Sequence, residues 1–208
     1  MCGRTELNTE WSELAAALGI PLPLSAPPDL TLPALNVPPT ATIPVAISDA
    51  GVPTLKIMRW GFPVTWADRP WGRPRFNARA ESARRGVWAE PLRTRRCLVP
   101  VTGFYEWIGP RTRRVPLRFS PRSGGVMALA GVWGAFQREG ELVDCVSILT
   151  TAADEVVAHT HDRMPVILAR SAWSRWLAAE TPLTAIDAIM GRPGGELSVS
   201  RADLKRAA

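Results

Sequence analysis

The 208-residue sequence is poor in the residues that mark disulfide scaffolds, metal centres and membrane spans. Its three cysteines, Cys2, Cys97 and Cys145, are odd in number and far apart, so no disulfide framework is expected and a reducing compartment would keep them as thiols. No Cys-x-x-Cys pair occurs, and the only dense group of metal ligands is His159-Thr160-His161, so neither a metal site nor another cofactor is expected. No apolar run approaches the roughly 18 residues that a membrane span needs, which argues against a helical membrane protein. The start, Met1-Cys2-Gly3-Arg4-Thr5-Glu6, lacks the basic and apolar segments of a secretory signal, so a cytoplasmic location is expected. Lysine is scarce as well, with only Lys56 and Lys205, and the positive charge is carried by arginine.

That charge is unevenly placed. The formal net charge is +6, yet residues 59–122 hold 15 of the 23 arginines against four acids, Asp68, Glu81, Glu90 and Glu106, and the remainder is net acidic. The same stretch contains Trp60, Trp66, Trp71, Trp88 and Trp107. Arginine pairs bidentately with phosphate and stacks on bases, so interleaved arginine and tryptophan suit a single-stranded nucleic acid platform. A solvated basic face over a Trp-rich core fits the same composition.

The length suits one domain, 1–208. Asn8 or Thr9 is placed to cap a short helix through Trp11, Leu14 and Leu18, with Gly19 at its end. Residues 21–53 contain nine prolines among leucines, isoleucines and valines, which predicts an ordered coil with a short edge strand at 43–47. Short β-like runs follow at 54–60, 97–101, 103–108, 115–119, 126–133 and 142–151, separated by glycine, proline and charged turns. Helices are expected at 154–158, at 171–179 with Ser171 as cap, and at 183–190. The expected class is α+β, a single domain of curved, mainly antiparallel sheets with a few peripheral helices.

The second residue carries the chemistry. Methionine aminopeptidases act before small residues, so Met1-Cys2 predicts a mature chain that begins with cysteine. A free α-amine has a pKa of roughly 7.7–8.0 and a thiol one near 8.5, so Cys2 would offer two nucleophiles on adjacent carbons. The amine can form an imine with an aldehyde, after which the thiol can close a five-membered thiazolidine. An incidental second-position cysteine is the plainer reading.

Seven blocks stand in order along residues 2–170: Met1-Cys2-Gly3-Arg4, Asn36-Val37-Pro38-Pro39, Trp60-Gly61-Phe62, Phe76-Asn77-Ala78-Arg79-Ala80-Glu81, Gly103-Phe104-Tyr105-Glu106-Trp107, Ala130-Gly131-Val132-Trp133 and His161-Asp162-Arg163-Met164-Pro165-Val166-Ile167-Leu168. Together they resemble the SOS-response-associated peptidase (SRAP) family. The resemblance implies a protein that shields abasic sites in single-stranded DNA through a thiazolidine DNA–protein crosslink, with lyase, crosslink-reversal and autocatalytic peptidase activities as further expectations. It implies Cys2 as nucleophile, Asn77 as the neutral amide that holds the reacting amine or sugar oxygen, and Glu106 and His161 as proton-transfer groups. Alone, Asn77 also reads as a turn residue, Glu106 as a surface charge on a strand and His161 as a packing residue. His159 lies outside the matching block. DNA contacts are expected from Arg4, Arg79 and Arg163, stacking from Trp66, and looser contacts from Arg84 and Arg85. The protein is expected to act as a monomer, nucleoid-associated when on DNA. Family members usually carry a longer segment after the strand near 197–200, so an edge element is expected to be missing here.

Three other readings fit parts of the pattern. A glutamine amidotransferase also begins Met-Cys-Gly, but its Asn-Gly elements have no counterpart, because none of Asn8, Asn36 and Asn77 precedes glycine. A cysteine peptidase would need Cys2 beside His161 and an oxyanion hole. A non-covalent reader of damaged DNA would use the basic stretch equally well.

Overall fold

In the computed structural model the described residues are 2–21, 31–63, 71–110, 112–192 and 194–204. In chain order their strands begin with β1 (Thr5–Leu7), β2 (Ala34–Val37), β3 (Thr42–Asp49), β4 (Val52–Trp60) and β5 (Asn77–Arg79). They continue with β6 (Arg96–Val101), β7 (Gly103–Ile108), β8 (Val115–Pro121), β9 (Met127–Arg138) and β10 (Glu141–Ala152), and end with β11 (Arg163–Pro165), β12 (Ile167–Leu168) and β13 (Leu197–Arg201). The helices are α1 (Trp11–Leu18), α2 (Ala89–Thr94), α3 (Glu155–Ala158), α4 (Trp173–Leu177) and α5 (Leu183–Met190). The α+β class read from the sequence holds.

A five-stranded antiparallel sheet runs β13-β8-β7-β1-β2. The larger sheet runs β11-β10-β4-β3-β6-β9-β12, and β9 also pairs with β10. That extra pairing closes β10, β4, β3, β6 and β9 into a small barrel, with the parallel β4–β10 pair, Cys145 opposite Arg59 and Val146 opposite Trp60, as the seam. Closure pairs each strand of the ring on both sides, so the ring presents no free sheet edge.

Period-two alternation sorts the side chains into two cores. Val45, Met58, Trp60, Val99, Leu129, Val146 and Ile148 fill the barrel. Ala46, Leu98, Ala130, Val132 and Leu149 face outward and are covered by Trp173, Trp176 and Leu177 of α4 and by Ile186 and Ile189 of α5. Fully burying such a side chain stabilises by roughly 1.5–3 kcal/mol. Gly131 is required where β6 and β9 meet, since a Cβ there would lie 2.8 Å from Cys97 Sγ.

Several local readings are corrected. Glu10, not Asn8 or Thr9, is the N-cap of α1; Thr9 Oγ1 instead donates to Glu13 Oε2 at 2.8 Å. Gly19 ends the helix with φ 67°, as expected. Residues 43–47 belong to β3, which lies between β4 and β6 rather than at an edge. The runs at 126–133 and 142–151 are the inner parts of one long β9–β10 hairpin, whose turn uses positive φ at Glu139 (54°) and Gly140 (91°). The helix expected at 171–179 divides into a 3₁₀ turn, Arg170–Ala172, and α4 with Ala172 as cap. Arg96 stands behind α4, donating to Trp176 O at 2.7 Å and to Ala178 O. The helix expected at 154–158 is α3, and Asp154 is its cap, accepting from Val157 N at 2.9 Å.

Candidate functional site

Four separate segments converge where the chain enters β1. Cys2 is fully buried, packed into the barrel cluster that includes Trp60, Ile148 and Met164. Pairing of β1 with β7, together with the 2.9 Å bond from Tyr105 N to Arg4 O, lays the start of the chain along the strand that carries Glu106. β5 pairs in parallel with β10, Asn77 opposite Ile148, and this puts the Asn77 Nδ2 group 2.9 Å from the Cys2 carbonyl oxygen to which it donates. Asn77 Oδ1 is buried and accepts no hydrogen bond among the described residues. An amide that uses its donor on Cys2 still offers an acceptor to whatever reacts there.

His161 follows α3 in the short connection to β11. Its Nδ1 accepts the Arg163 amide N–H at 2.9 Å, which leaves the proton of the neutral ring on Nε2. Asp162 Oδ1 lies 2.8 Å from the same nitrogen, a contact that pairs opposite charges only when the ring is protonated. His159 is exposed at the end of α3.

The electrostatics of the cluster favour neutral forms. Burial lifts the Glu106 carboxyl above its ordinary value, Asp162 adds to the rise, and positive charge on His161 opposes it. Burial also pushes the Cys2 thiol well above the thiol range, and the neighbouring Glu106 adds to that. A protonated thiol, an elevated carboxyl and an imidazole within electrostatic reach can move protons around a carbonyl carbon without a strong anion at rest.

The arginines expected at DNA divide into two groups. Arg79 is exposed on β5 two residues after Asn77, hence on the same face of the strand, and Arg85 is exposed nearby. Arg4 is partly buried and donates from Nη1 to both the backbone oxygen and Oδ1 of Asn36, each at 3.1 Å. Arg84 and Arg163 are already paired. Arg84 grips Asp187 and donates to Leu183 O at 2.8 Å, tying itself to α5. Arg163 is 14% exposed at its side chain and makes a bidentate pair with Glu81. Trp66 lies outside the described residues.

Sequence reasoning missed a buried polar network beneath the site. Glu6, 4% exposed, accepts from Tyr105 Oη, from Thr102 Oγ1 at 3.3 Å and from Arg118 Nε at 2.7 Å. Tyr105 is held well above its ordinary pKa, first by burial and then by its bond to Glu6. The signal available was Glu6 among the inward positions of a strand, where an unpaired charge would be costly.

The chain matches the family model described as SOS response associated peptidase (SRAP) over residues 1–202. It is similar to the abasic site processing protein YoqW of Bacillus subtilis, 34% identical over 182 residues that cover 85% of this chain and 80% of the relative. It is also similar to the abasic site processing protein YedK of Escherichia coli, 27% identical over 142 residues, 68% of this chain and 59% of that one. A solved protein of Bordetella bronchiseptica shares the fold with a TM-score of 0.79 at 23% identity, covering 98% of this chain and 100% of that one. Another from Bacteroides thetaiotaomicron does so with a TM-score of 0.81 at 18% identity, covering 98% and 93%.

Proposed function

The chain belongs to the SOS response associated peptidase (SRAP) family, and from that premise we propose that it captures abasic sites in single-stranded DNA as a covalent thiazolidine on a mature N-terminal Cys2. The observation that carries the reading is the convergence on Cys2 of Asn77, Glu106 and, through its charge on Glu106, His161. The names of the relatives supply the abasic site as substrate.

After Met1 is removed, the Cys2 α-amine adds to the aldehyde carbon of the ring-opened sugar. The carbinolamine loses water to give an imine, with Glu106 as proton donor to the departing hydroxyl. The Cys2 sulfur then bonds to the imine carbon while its proton passes to nitrogen, closing the ring; the net loss is one water. A thiol that burial keeps protonated suits a nucleophile that acts second, inside an already formed imine. Asn77 holds the Cys2 carbonyl and offers Oδ1 to a sugar hydroxyl. His161, with Glu106, serves sugar ring opening, crosslink reversal and β-elimination, the steps of any lyase activity. Arg79 and Arg85 meet the phosphates, and the protein acts as a monomer.

The test is incubation with a single-stranded oligonucleotide bearing one abasic site, followed by denaturing electrophoresis and mass measurement. The expected product survives detergent and has the mass of the chain without Met1 plus the DNA, less one water. Retention only under native conditions would make the protein a non-covalent reader, and release of ammonia from glutamine would favour the amidotransferase.

A further inference from the structure

The ion pair between Arg163 and Glu81 links the segment that carries His161 to the segment that follows Asn77. Arg163 Nη1 lies 2.6 Å from Glu81 Oε1, and Nη2 donates to Glu81 Oε2 at 2.9 Å and to Thr150 O at 2.6 Å. Thr150 is the β10 residue that pairs with Arg79 of β5 on one side and with Pro165 of β11 on the other. The guanidinium therefore spans β10, fastening β11 to the turn that follows β5. Both strands are only three residues long, so the ladder alone gives them few bonds. Glu81 stands four residues after Asn77. Arg163 stands two after His161, and its own amide N–H is the donor that orients the imidazole through Nδ1.

We propose that Glu81 is a positioning residue: by gripping Arg163 it keeps the connection that carries His161 in register with the strand that carries Asn77. Glu81 touches no reacting atom; it acts through Arg163. The pair also helps to explain why so buried a cation is tolerated, since Nη1 and Nη2 both meet acceptors. Glu81→Gln keeps the shape and one acceptor but removes the charge and the second acceptor. A shift of the ring by a fraction of an ångström to one ångström is then enough to slow a positioned proton transfer by about 10- to 10²-fold.

The inference rests on the chemistry proposed for Cys2, so the experiment carries two readouts. In the first, single-turnover adduct formation is measured at saturating abasic oligonucleotide, beside the Kd for an intact oligonucleotide of the same sequence. Glu81→Gln should slow the saturated rate by about 10- to 10²-fold while Kd stays within about twofold, and Glu81→Asp, which restores both oxygens, should recover most of the rate. An unchanged saturated rate overturns the proposal. So does tighter binding of intact DNA, which would mean that Glu81 restrains a phosphate-binding Arg163. The second readout is the pH titration of the His161 ring resonances by NMR in free protein, which needs no reaction. If the wild type forms no adduct, the reading of Cys2 fails by itself and Glu81 is judged on this titration. Altered His161 shifts in Glu81→Gln, returning in Glu81→Asp with circular dichroism unchanged, support it; superimposable titrations overturn it.

Discussion

Replacing Glu6 by alanine should be among the most damaging single changes outside the site. Glu6 is 4% exposed and accepts from Tyr105, Thr102 and Arg118, while the Arg118 side chain is 32% exposed. Removing one member of a buried ion pair costs about 3–5 kcal/mol, because the other charge is left without its partner. Water reaches part of the guanidinium, which places this case near the low end, about 3 kcal/mol. For a domain of this size 1 kcal/mol shifts Tm by about 2–4 °C, so Glu6→Ala should lower Tm by roughly 6–12 °C. Thermal unfolding followed by circular dichroism measures this directly. The double change Glu6→Leu with Arg118→Met removes both charges and should recover most of the loss. A Tm within about 2 °C of wild type for Glu6→Ala would refute the claim that this network fastens β1, and with it Cys2, to β7 and β8.

Tyr105 is the chain's one tyrosine, so tyrosinate absorbance reports on it alone. Its folded pKa lies above the unfolded value of about 10, so its contribution to stability is intact below that pH and is lost as pH rises further; no ionisation should precede alkaline unfolding, and a transition at an ordinary tyrosine pKa would contradict the network. Glu106→Gln and His161→Ala should slow adduct formation, reversal or strand cleavage by about 10²–10⁴-fold while gel-shift affinity stays within a few-fold; wild-type rates in both would remove their roles. As a general acid with a raised pKa, Glu106 contributes below that pKa and less as pH climbs through it, so the alkaline limb of the rate profile should vanish in Glu106→Gln. Arg79→Ala should weaken binding to all sequences alike and flatten the dependence of log K on log salt by about one unit, and an unaltered slope would move the DNA path elsewhere.

The sheets were legible as short β-branched and aromatic runs bounded by glycine, proline and charged turns, as in β6, β7 and β8, because that composition is a local property. Barrel closure was not, since the seam joins β4 to β10 across more than eighty residues and leaves no mark in either run. Three-residue β5 is too short to show a period, although it holds Asn77. The prolines at 38, 39 and 44 made β3 look like an edge, yet β6 reaches it only at Ala46, past Pro44, so the ladder never asks Pro44 to donate there. At the site, the motifs named Cys2, Asn77, Glu106 and His161, but only the fold brings them together. The arginine count gave the charge but not its partners: Arg84, Arg96, Arg118 and Arg163 all meet internal acceptors. Composition counts cations; it cannot say which carbonyl or carboxylate each one meets.

In the thiazolidine mechanism the α-amine and thiol of one residue act together, and a matched pair of proteins separates the two groups. One has its native processed terminus; the other carries an N-terminal extension that turns the Cys2 amine into an amide while leaving the thiol in place. Each is mixed with the abasic oligonucleotide, denatured and weighed. The processed protein should form the detergent-stable adduct, and the extended one should form none. An extended protein that crosslinks abasic DNA as well as the processed form would contradict the thiazolidine mechanism, even if Cys2 itself proved essential.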